Sequence, residues 1–196
     1  MSSIKTYTVK TIAICLSVLF GACNISQDDS DGWNRFNGNV VLNSQADINE
    51  LGNKEYNEIT GYLHIGSYTD DGQMIFPYVY DTDITDLSPL NSIERIRGNL
   101  LIRGNPILSE LNGLKNLKIV EGYLIQINFN ESLTTINGLN NLEFIGRTIH
   151  IIRNDMLSYY CGLQTLFENN INLDYEIGSN AYNPTLDDIN SANCRQ

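Results

Sequence analysis

Long apolar runs, histidines and basic residues are all scarce in this chain of 196 residues. The main apolar stretch, residues 12–20, is far shorter than the roughly 20 residues that a membrane-spanning helix needs. The sequence holds two histidines, and 12 basic residues stand against 23 acidic ones, for a formal net charge of −11. So acidic a surface repels phosphate backbones, which excludes nucleic acid as an expected partner.

Motifs of common enzymatic chemistry are also missing. The sequence has no nucleophile elbow of the Gly-x-Ser-x-Gly type, no His-Glu-x-x-His zinc motif and no glycine-rich phosphate loop. These absences disfavour an enzyme. The sequence therefore predicts no catalytic residues, no metal site and no cofactor.

The N-terminus has the organisation of an export signal. Lys5 and Lys10 precede the apolar stretch, and the small residues Gly21 and Ala22 precede Cys23. This pattern predicts a lipoprotein signal peptide over 1–22 and lipidation of Cys23, although Phe20 stands where a bacterial lipobox usually carries leucine. Acyl chains on Cys23 would anchor the protein to a membrane.

Residues 23–37 are polar and acidic, with too little apolar surface to fold alone, so they are predicted to form a flexible tether. The acidic run resembles the signal that sends Bacteroidetes-type lipoproteins to the cell surface. That resemblance implies a bacterial outer-membrane lipoprotein exposed at the cell surface. A plain solvated spacer is the alternative.

Four cysteines are present, and two of them are assigned to the N-terminus. Cys15 would leave with the signal peptide and Cys23 would be acylated, which leaves Cys161 and Cys194. In an oxidising compartment these two are expected to form a disulfide. Two separate buried thiols remain the alternative, because spacing alone does not show that they meet.

The sequence repeats itself with a period of about 24 residues. Leu90, Leu114, Leu139 and Leu163 open corresponding segments at intervals of 24, 25 and 24 residues. Each unit carries the alternation Ile-x-Gly-x-Leu-x-Ile, which is typical of a half-buried strand. One unit cannot bury its own apolar face, so the units must stack. The sequence predicts a mainly β chain: a right-handed β-helix or leucine-rich-repeat-like solenoid with an N-terminal helical cap.

The strand phase predicts the core and the turns. The inward columns are expected to be Leu63, Leu100, Leu124, Ile149 and Ile65, Ile102, Ile127, Ile151. The third copy needs one extra residue near Gln126, interpreted as a bulge. Asn105, Asn130 and Asn154 follow three strands at matching positions and are predicted to stack as a polar ladder.

One domain is predicted over 38–196. Its N-terminal cap spans 38–58 and contains a helix with Ser44 as N-cap and Gly52 at its end. Repeats follow over 59–170, and 171–196 closes the stack. Segment 66–83, rich in tyrosine and aspartate, interrupts the first interval and is interpreted as an excursion from the stack.

The repeated strand, the asparagine turn and the Leu-x-Gly-Leu-x-Asn-Leu segment at 111–117, with its variant at 136–142, resemble the receptor L-domain. This is the leucine-rich-repeat-like β-solenoid of insulin- and epidermal-growth-factor-type receptors. The resemblance covers 59–170 and implies that fold and a binding-module role. Arg147 replaces the repeated glycine, and the kinase and cysteine-rich regions of the receptors have no counterpart in these residues. Growth-factor binding is therefore not implied.

Outward strand positions are expected to form one flat patch that binds an extracellular protein or glycan without catalysis: Tyr62, His64, Asn99, Leu101, Tyr123, Ile125, Thr148 and His150. Alternatively, the excursion covers Leu101 and Ile125, and both belong to the core. His64 and His150 would be three coils, or roughly 14 Å, apart, too far to share a metal. A structural envelope spacer and a β-helix polysaccharide-active enzyme are the alternative functions.

Overall fold

A computed structural model describes residues 32–67, 82–170 and 172–195 of the protein. The predicted signal peptide, Cys23 and most of the 66–83 segment lie outside the described residues. The described part is mainly β, with two parallel sheets and a few short helices.

The larger sheet, sheet B, contains six strands. Their sheet order is β11-β10-β8-β6-β4-β2, so each strand pairs with the strand of the neighbouring repeat and all the pairs are parallel. The strands are β2 (Val40–Leu42), β4 (Leu63–Gly66), β6 (Leu100–Arg103), β8 (Leu124–Asn128), β10 (Thr148–Ile152) and β11 (Asp174–Gly178).

The smaller sheet, sheet A, consists of five two-residue strands in the order β1-β3-β5-β7-β9. They are β1 (Arg35–Phe36), β3 (Glu58–Ile59), β5 (Arg95–Ile96), β7 (Ile119–Val120) and β9 (Phe144–Ile145). The chain therefore contributes alternately to the two sheets. Strand β1 falls inside the segment that the sequence assigned to the tether, so regular structure begins a few residues before the predicted boundary at 38.

Three α-helices accompany the sheets: α1 (Gln45–Gly52), α2 (Gln164–Asn169) and α3 (Leu186–Asn190). Helix α1 begins after Ser44, whose side chain accepts a hydrogen bond from the Asp47 amide while the Asp47 carboxylate accepts from the Ser44 amide. This reciprocal capping satisfies amides that a helix start leaves without partners. The helix predicted from the sequence is therefore present; its role as an end cap stays a prediction.

Short 3₁₀ helices open successive repeat units at Ser88–Leu90, Asn112–Leu114, Asn137–Leu139 and Cys161–Leu163. The last residue of each is one of the leucines that revealed the period, and all four are buried. Gly113 packs so closely against the backbone carbonyl of Leu87 that an added Cβ would overlap it, and Gly138 does the same against Leu111. Glycine at this position lets neighbouring units approach at the sheet spacing.

The core contains the inward side chains of both sheets, but one predicted column is wrong by one residue. Ile125 pairs with Leu100 on one side and with Ile149 on the other, and it is fully buried, whereas Leu124 is half-buried. Strand β8 pairs without interruption, so there is no bulge at Gln126. The extra residue lies between Gly122 and Ile125, where the chain can lengthen without breaking a ladder of hydrogen bonds.

The asparagine ladder is present and longer than the sequence indicated. Asn105, Asn130 and Asn154 are fully buried. In each, the backbone amide and Nδ2 both donate to Oδ1 of the next asparagine, at 2.9–3.2 Å, and the series continues to Asn180. Asn180 donates in the same way to Asn183, only three residues on. The ladder therefore ends at Asn183, between β11 and α3.

A buried carboxylate ties the first strands of sheet A together. Glu58 is fully buried, and its Oε1 accepts hydrogen bonds from Arg35 Nε at 2.9 Å and Arg97 Nε at 2.7 Å. Burial acts to raise the pKa of Glu58, but the hydrogen bonds and charges of Arg97 and Arg35 outweigh it and leave the pKa below its ordinary 4.5. Glu58 is therefore held in its ionised form.

Candidate functional site

The candidate site is the outward face of sheet B, where the parallel register lines up side chains from successive strands. One row runs across the sheet and consists of Val41, His64, Leu101, Gln126, His150 and Glu176. A second row, nearer the carboxyl ends of the strands, consists of Gly66, Arg103, Asn128, Ile152 and Gly178. In parallel strands about 4.8 Å apart, neighbours in a row can contact one ligand together.

The structure supports outward exposure for only part of the predicted patch. Leu101 and His150 are half-buried in the same row, with Gln126 between them where the sequence predicted Ile125. Ile125 lies in the core because of the register of β8, so its predicted outward position is wrong. Tyr62 and Asn99 are half-buried at residues just before their strands.

Two other predicted patch residues contribute almost no surface. Thr148 is 8% exposed and His64 is 1% exposed. Burial, together with the smaller effect of the positive charge of Arg103, lowers the pKa of His64 from 6.5 to about 4. His64 is therefore neutral at physiological pH.

Tyr123 is the most exposed of the predicted residues, at 61%. It lies in the longer connection between Gly122 and Ile125, and its carbonyl accepts the hydrogen bond from the Thr148 amide. The Arg147 guanidinium lies over the Tyr123 ring, 5.5 Å from its centroid. Arg147 Nε also donates to Asp174 Oδ2 at 3.0 Å, and this hydrogen bond raises the pKa of Arg147. The Arg147 guanidinium thus connects the ring to the edge strand β11.

The sequence did not single out the cationic rim at the carboxyl ends of the strands, formed by Arg103 on β6 and by Arg153 after β10. Arg153 lies over the Phe129 ring at 5.4 Å from its centroid. Phe129 and Arg153 each precede a ladder asparagine and adopt positive φ values of 59° and 57°, where the matching residue of the preceding unit is Gly104, at 67°. Both residues directly precede a ladder asparagine, and this shared position in the repeat could have identified them from the sequence.

His64 and His150 lie three strands apart in their row, as the phase predicted. Within residues 32–67, 82–170 and 172–195, no group of three His, Cys, Asp or Glu side chains is placed to hold a metal ion. None of the helices in this part of the chain is long and apolar enough to cross a bilayer. On the outward rows named above, the carboxylate is that of Glu176 on the edge strand β11; Asp174, on the same strand, binds Arg147.

The comparison with protein families agrees with the repeat and the sheets. The receptor L domain family matches residues 34–168, more than half of the chain. The match begins at the start of sheet A and thus extends the region of resemblance towards the N-terminus. No curated protein matches the sequence significantly. Receptor L domains are ligand-binding, non-catalytic modules. The chain belongs to the receptor L domain family.

Proposed function

We propose that this protein is a non-catalytic cell-surface lipoprotein that binds a protein or glycan ligand through the outward face of sheet B. The observation that carries the proposal is the exposed Tyr123, which directly precedes the half-buried Leu124 at the start of β8 and lies under the Arg147 guanidinium; Leu101 and Ile152 are half-buried further along the same face. An aromatic ring held by Arg147 supplies contact area at a low entropic cost. Family membership supports a binding module in general, and the ligand is part of the proposal.

The alternatives explain less of this face. A structural spacer needs no exposed aromatic ring held by a neighbouring arginine. A polysaccharide-active enzyme that acts by hydrolysis needs two carboxylates that flank one sugar bond. On the outward rows, the carboxylate is that of Glu176 on the edge strand β11, and Asp174 on the same strand is already engaged by Arg147. Binding without catalysis is therefore the favoured reading.

The proposed location rests on the N-terminal sequence. Export, lipidation of Cys23 and anchoring in a bacterial outer membrane follow from the signal-like residues 1–22 and the acidic segment after them. We expect Cys23→Ser to release the protein from membranes or to leave an uncleaved precursor. Correctly cleaved Cys23→Ser protein that stays fully in the membrane fraction would contradict the anchor.

The finer fold is also proposed: a right-handed solenoid of about 24-residue coils that begins at a cap containing α1. Its support is the alternation of the chain between the two sheets and the asparagine ladder across successive units. A crystal structure of residues 24–196 would test handedness and cap together. A left-handed connection, or α1 packed away from the first strands, would refute this part.

Ligand binding is tested by screening soluble residues 24–196 on a glycan array and against extracellular proteins. For any ligand found, Tyr123→Ala should weaken binding at least about tenfold, as expected for an interface anchor. Phe144→Ala is the matched control, because Phe144 is an exposed aromatic residue on sheet A, at 46%. If Phe144→Ala loses ligand binding and Tyr123→Ala retains it, the binding site does not lie on the outward face of sheet B.

A further inference from the structure

The carboxyl-terminal rim of sheet B concentrates positive charge in a strongly acidic protein. Within the described residues, neither Arg103 nor Arg153 forms an ion pair, although the chain has 23 acidic residues against 12 basic ones. The sheet A arginines differ, because Arg35 and Arg97 are hydrogen-bonded to Glu58. The rim therefore has charge to offer to a ligand.

The position of Arg103 is unfavourable unless something else compensates it. Among the residues that the structure describes, its Nε is buried and has no hydrogen-bond partner. It also lies close enough to His64, on the same face, for its charge to oppose protonation of the imidazole. A guanidinium carries five donors, and a buried donor without a partner destabilises a fold. Arg103 as a whole is half-buried, so an anionic group bound at the rim can compensate its charge.

Arg153 is held at the rim in a backbone conformation that favours glycine. Gly104, Phe129, Arg153 and Ser179 all adopt positive φ before a ladder asparagine, and two of the four carry large side chains. Bulky residues are uncommon in this region, so their presence points to a role for the side chains. The Phe129 ring lies under the Arg153 guanidinium, with 5.4 Å between the guanidinium and the ring centroid.

The spacing of the two arginines fits a ligand with repeated charges. Arg103 is in register with Asn128, and Asn128 with Ile152, the residue before Arg153. Two strand spacings separate them, so their backbones lie about 10 Å apart across the sheet. One small anion cannot easily bind both guanidiniums. A polymer with an acidic group on successive units can bind both.

The side chains beside the rim favour a polysaccharide over an acidic protein. Gln126 and His150 are half-buried on the adjacent row and offer amide and imidazole groups suited to hydroxyls. Protein interfaces instead centre on a well-packed apolar anchor. In the row that holds Arg103, the apolar side chain is Ile152, which is half-buried, so this row offers little of such an anchor.

We propose that Arg103, Arg153 and Phe129 form a subsite for a carboxylate- or sulfate-bearing polysaccharide. Each guanidinium pairs with one anionic group, and Gln126 and His150 contact the hydroxyls between them. This inference rests on the proposed function, because it assigns a ligand class to the same face of sheet B. Arginine is suited to both anions because its fork of donors matches their oxygens.

The test measures binding of the full-length chain, in detergent, to polygalacturonate and to dextran sulfate, with neutral dextran as the uncharged control. We expect binding to at least one polyanion, weakened by added salt. Arg103→Gln and Arg153→Asn should each reduce affinity at least about tenfold, the effect of losing one charge-assisted hydrogen bond. Asparagine is chosen at 153 because it tolerates positive φ. Preference between the two polymers separates carboxylate from sulfate recognition.

Arg195→Gln is the matched control, because it removes the same charge at Tyr159, outside sheet B. It should bind as the wild type does, and all three variants should melt within a few degrees of it. Polyglutamate serves as the acidic polypeptide for comparison. The inference would be overturned by equal binding of neutral dextran, by an equal loss of affinity in Arg195→Gln, by tighter binding of polyglutamate than of the two polyanionic polysaccharides, or by no binding of either polysaccharide. In any of these cases, the proposed function would still hold if Tyr123→Ala abolishes the binding of a ligand found on the array.

Discussion

At the scale of single residues, Asn130 connects three repeat units. Its Nδ2 donates to the Ile102 carbonyl at 3.0 Å and to Asn154 Oδ1 at 3.1 Å, while its Oδ1 accepts from both nitrogens of Asn105. All these groups are buried, so removing the amide leaves several of them without partners. One side chain thus supplies hydrogen-bond partners for polar groups of a turn that would otherwise be buried without them.

We predict that Asn130→Ala lowers the free energy of unfolding by about 3–5 kcal/mol, because each buried group left without a partner costs about 1–3 kcal/mol. Asn141→Ala is the control: Asn141 is exposed and donates one hydrogen bond to the Lys115 carbonyl at 2.7 Å, so its loss should cost below about 1 kcal/mol. Urea unfolding monitored by circular dichroism measures both. Equal losses would show that the ladder has no special role.

His64 makes the stability of the fold sensitive to mild acid. Its pKa of about 4 in the folded protein lies below the ordinary 6.5, so the unfolded chain takes up the proton first. The stabilising effect of the neutral imidazole is complete above pH 6.5. It is lost progressively as the pH falls from about 6.5 to about 4.

We expect the wild type to lose about 3 kcal/mol of stability between pH 6.5 and 4 through this residue, at 1.36 kcal/mol per pKa unit. His64→Gln should remove that part of the pH dependence, and His150→Gln should keep it, because His64 stays in place. Denaturant midpoints at several pH values give the slopes. Identical slopes in the wild type and His64→Gln would contradict the assignment.

At the scale of elements, the register of β8 decides which residues face the core. Ile125 is fully buried and Leu124 half-buried, the reverse of the phase read from the sequence. The alternation of β8 can be read in either phase, because Leu124, Ile125 and Ile127 are all apolar. Pairing with both neighbouring strands resolves the choice, since it places Ile125 between Leu100 and Ile149.

Two alanine substitutions distinguish the registers. Ile125→Ala should destabilise the protein by about 2–5 kcal/mol, as expected for a fully buried side chain, and Leu124→Ala by about 1 kcal/mol or less. Chemical unfolding of the two variants is the measurement. The opposite order would restore the bulge at Gln126 and remove Gln126 from the outward row.

Glu58 has the corresponding role in sheet A, where it lies on β3 between β1 and β5 and binds arginines from both sides. We predict that Glu58→Gln destabilises the fold by about 3 kcal/mol, because the arginine charges lose a buried partner. Glu94→Gln, which breaks the exposed pair with Lys118, should change stability little. Thermal unfolding of both variants compares them, and a similar Tm in each would make the buried pair unimportant.

At the scale of the whole molecule, the C-terminal segment is fastened to the last repeat unit. Cys161 and Cys194 form a disulfide across 33 residues. The Tyr160 amide donates to the Cys194 carbonyl at 2.7 Å. Between these two cysteines lie α2, β11 and α3, so the bridge encloses the end of sheet B.

We predict that the double variant Cys161→Ser and Cys194→Ser is less stable by about 3–4 kcal/mol, the chain-entropy estimate for a loop of this length. A reducing agent should lower the Tm of the wild type and leave that of the double variant unchanged. Mass spectrometry of exported protein under non-reducing conditions checks the bridge directly. Two free thiols there would refute it.

The sequence by itself determined the repeat, the strand alternation, the ladder positions Asn105, Asn130 and Asn154, and the family resemblance. These features are periodic, and stacking repeats the same local requirement in every unit. Only the tertiary structure decided the register of β8, the burial of His64 and Thr148, and the addition of β11 to sheet B. Each of these depends on which strands pair and what packs over them. The rim of Arg103 and Arg153 belongs to this second group, because residues about 50 positions apart in sequence meet only when the strands between them are aligned.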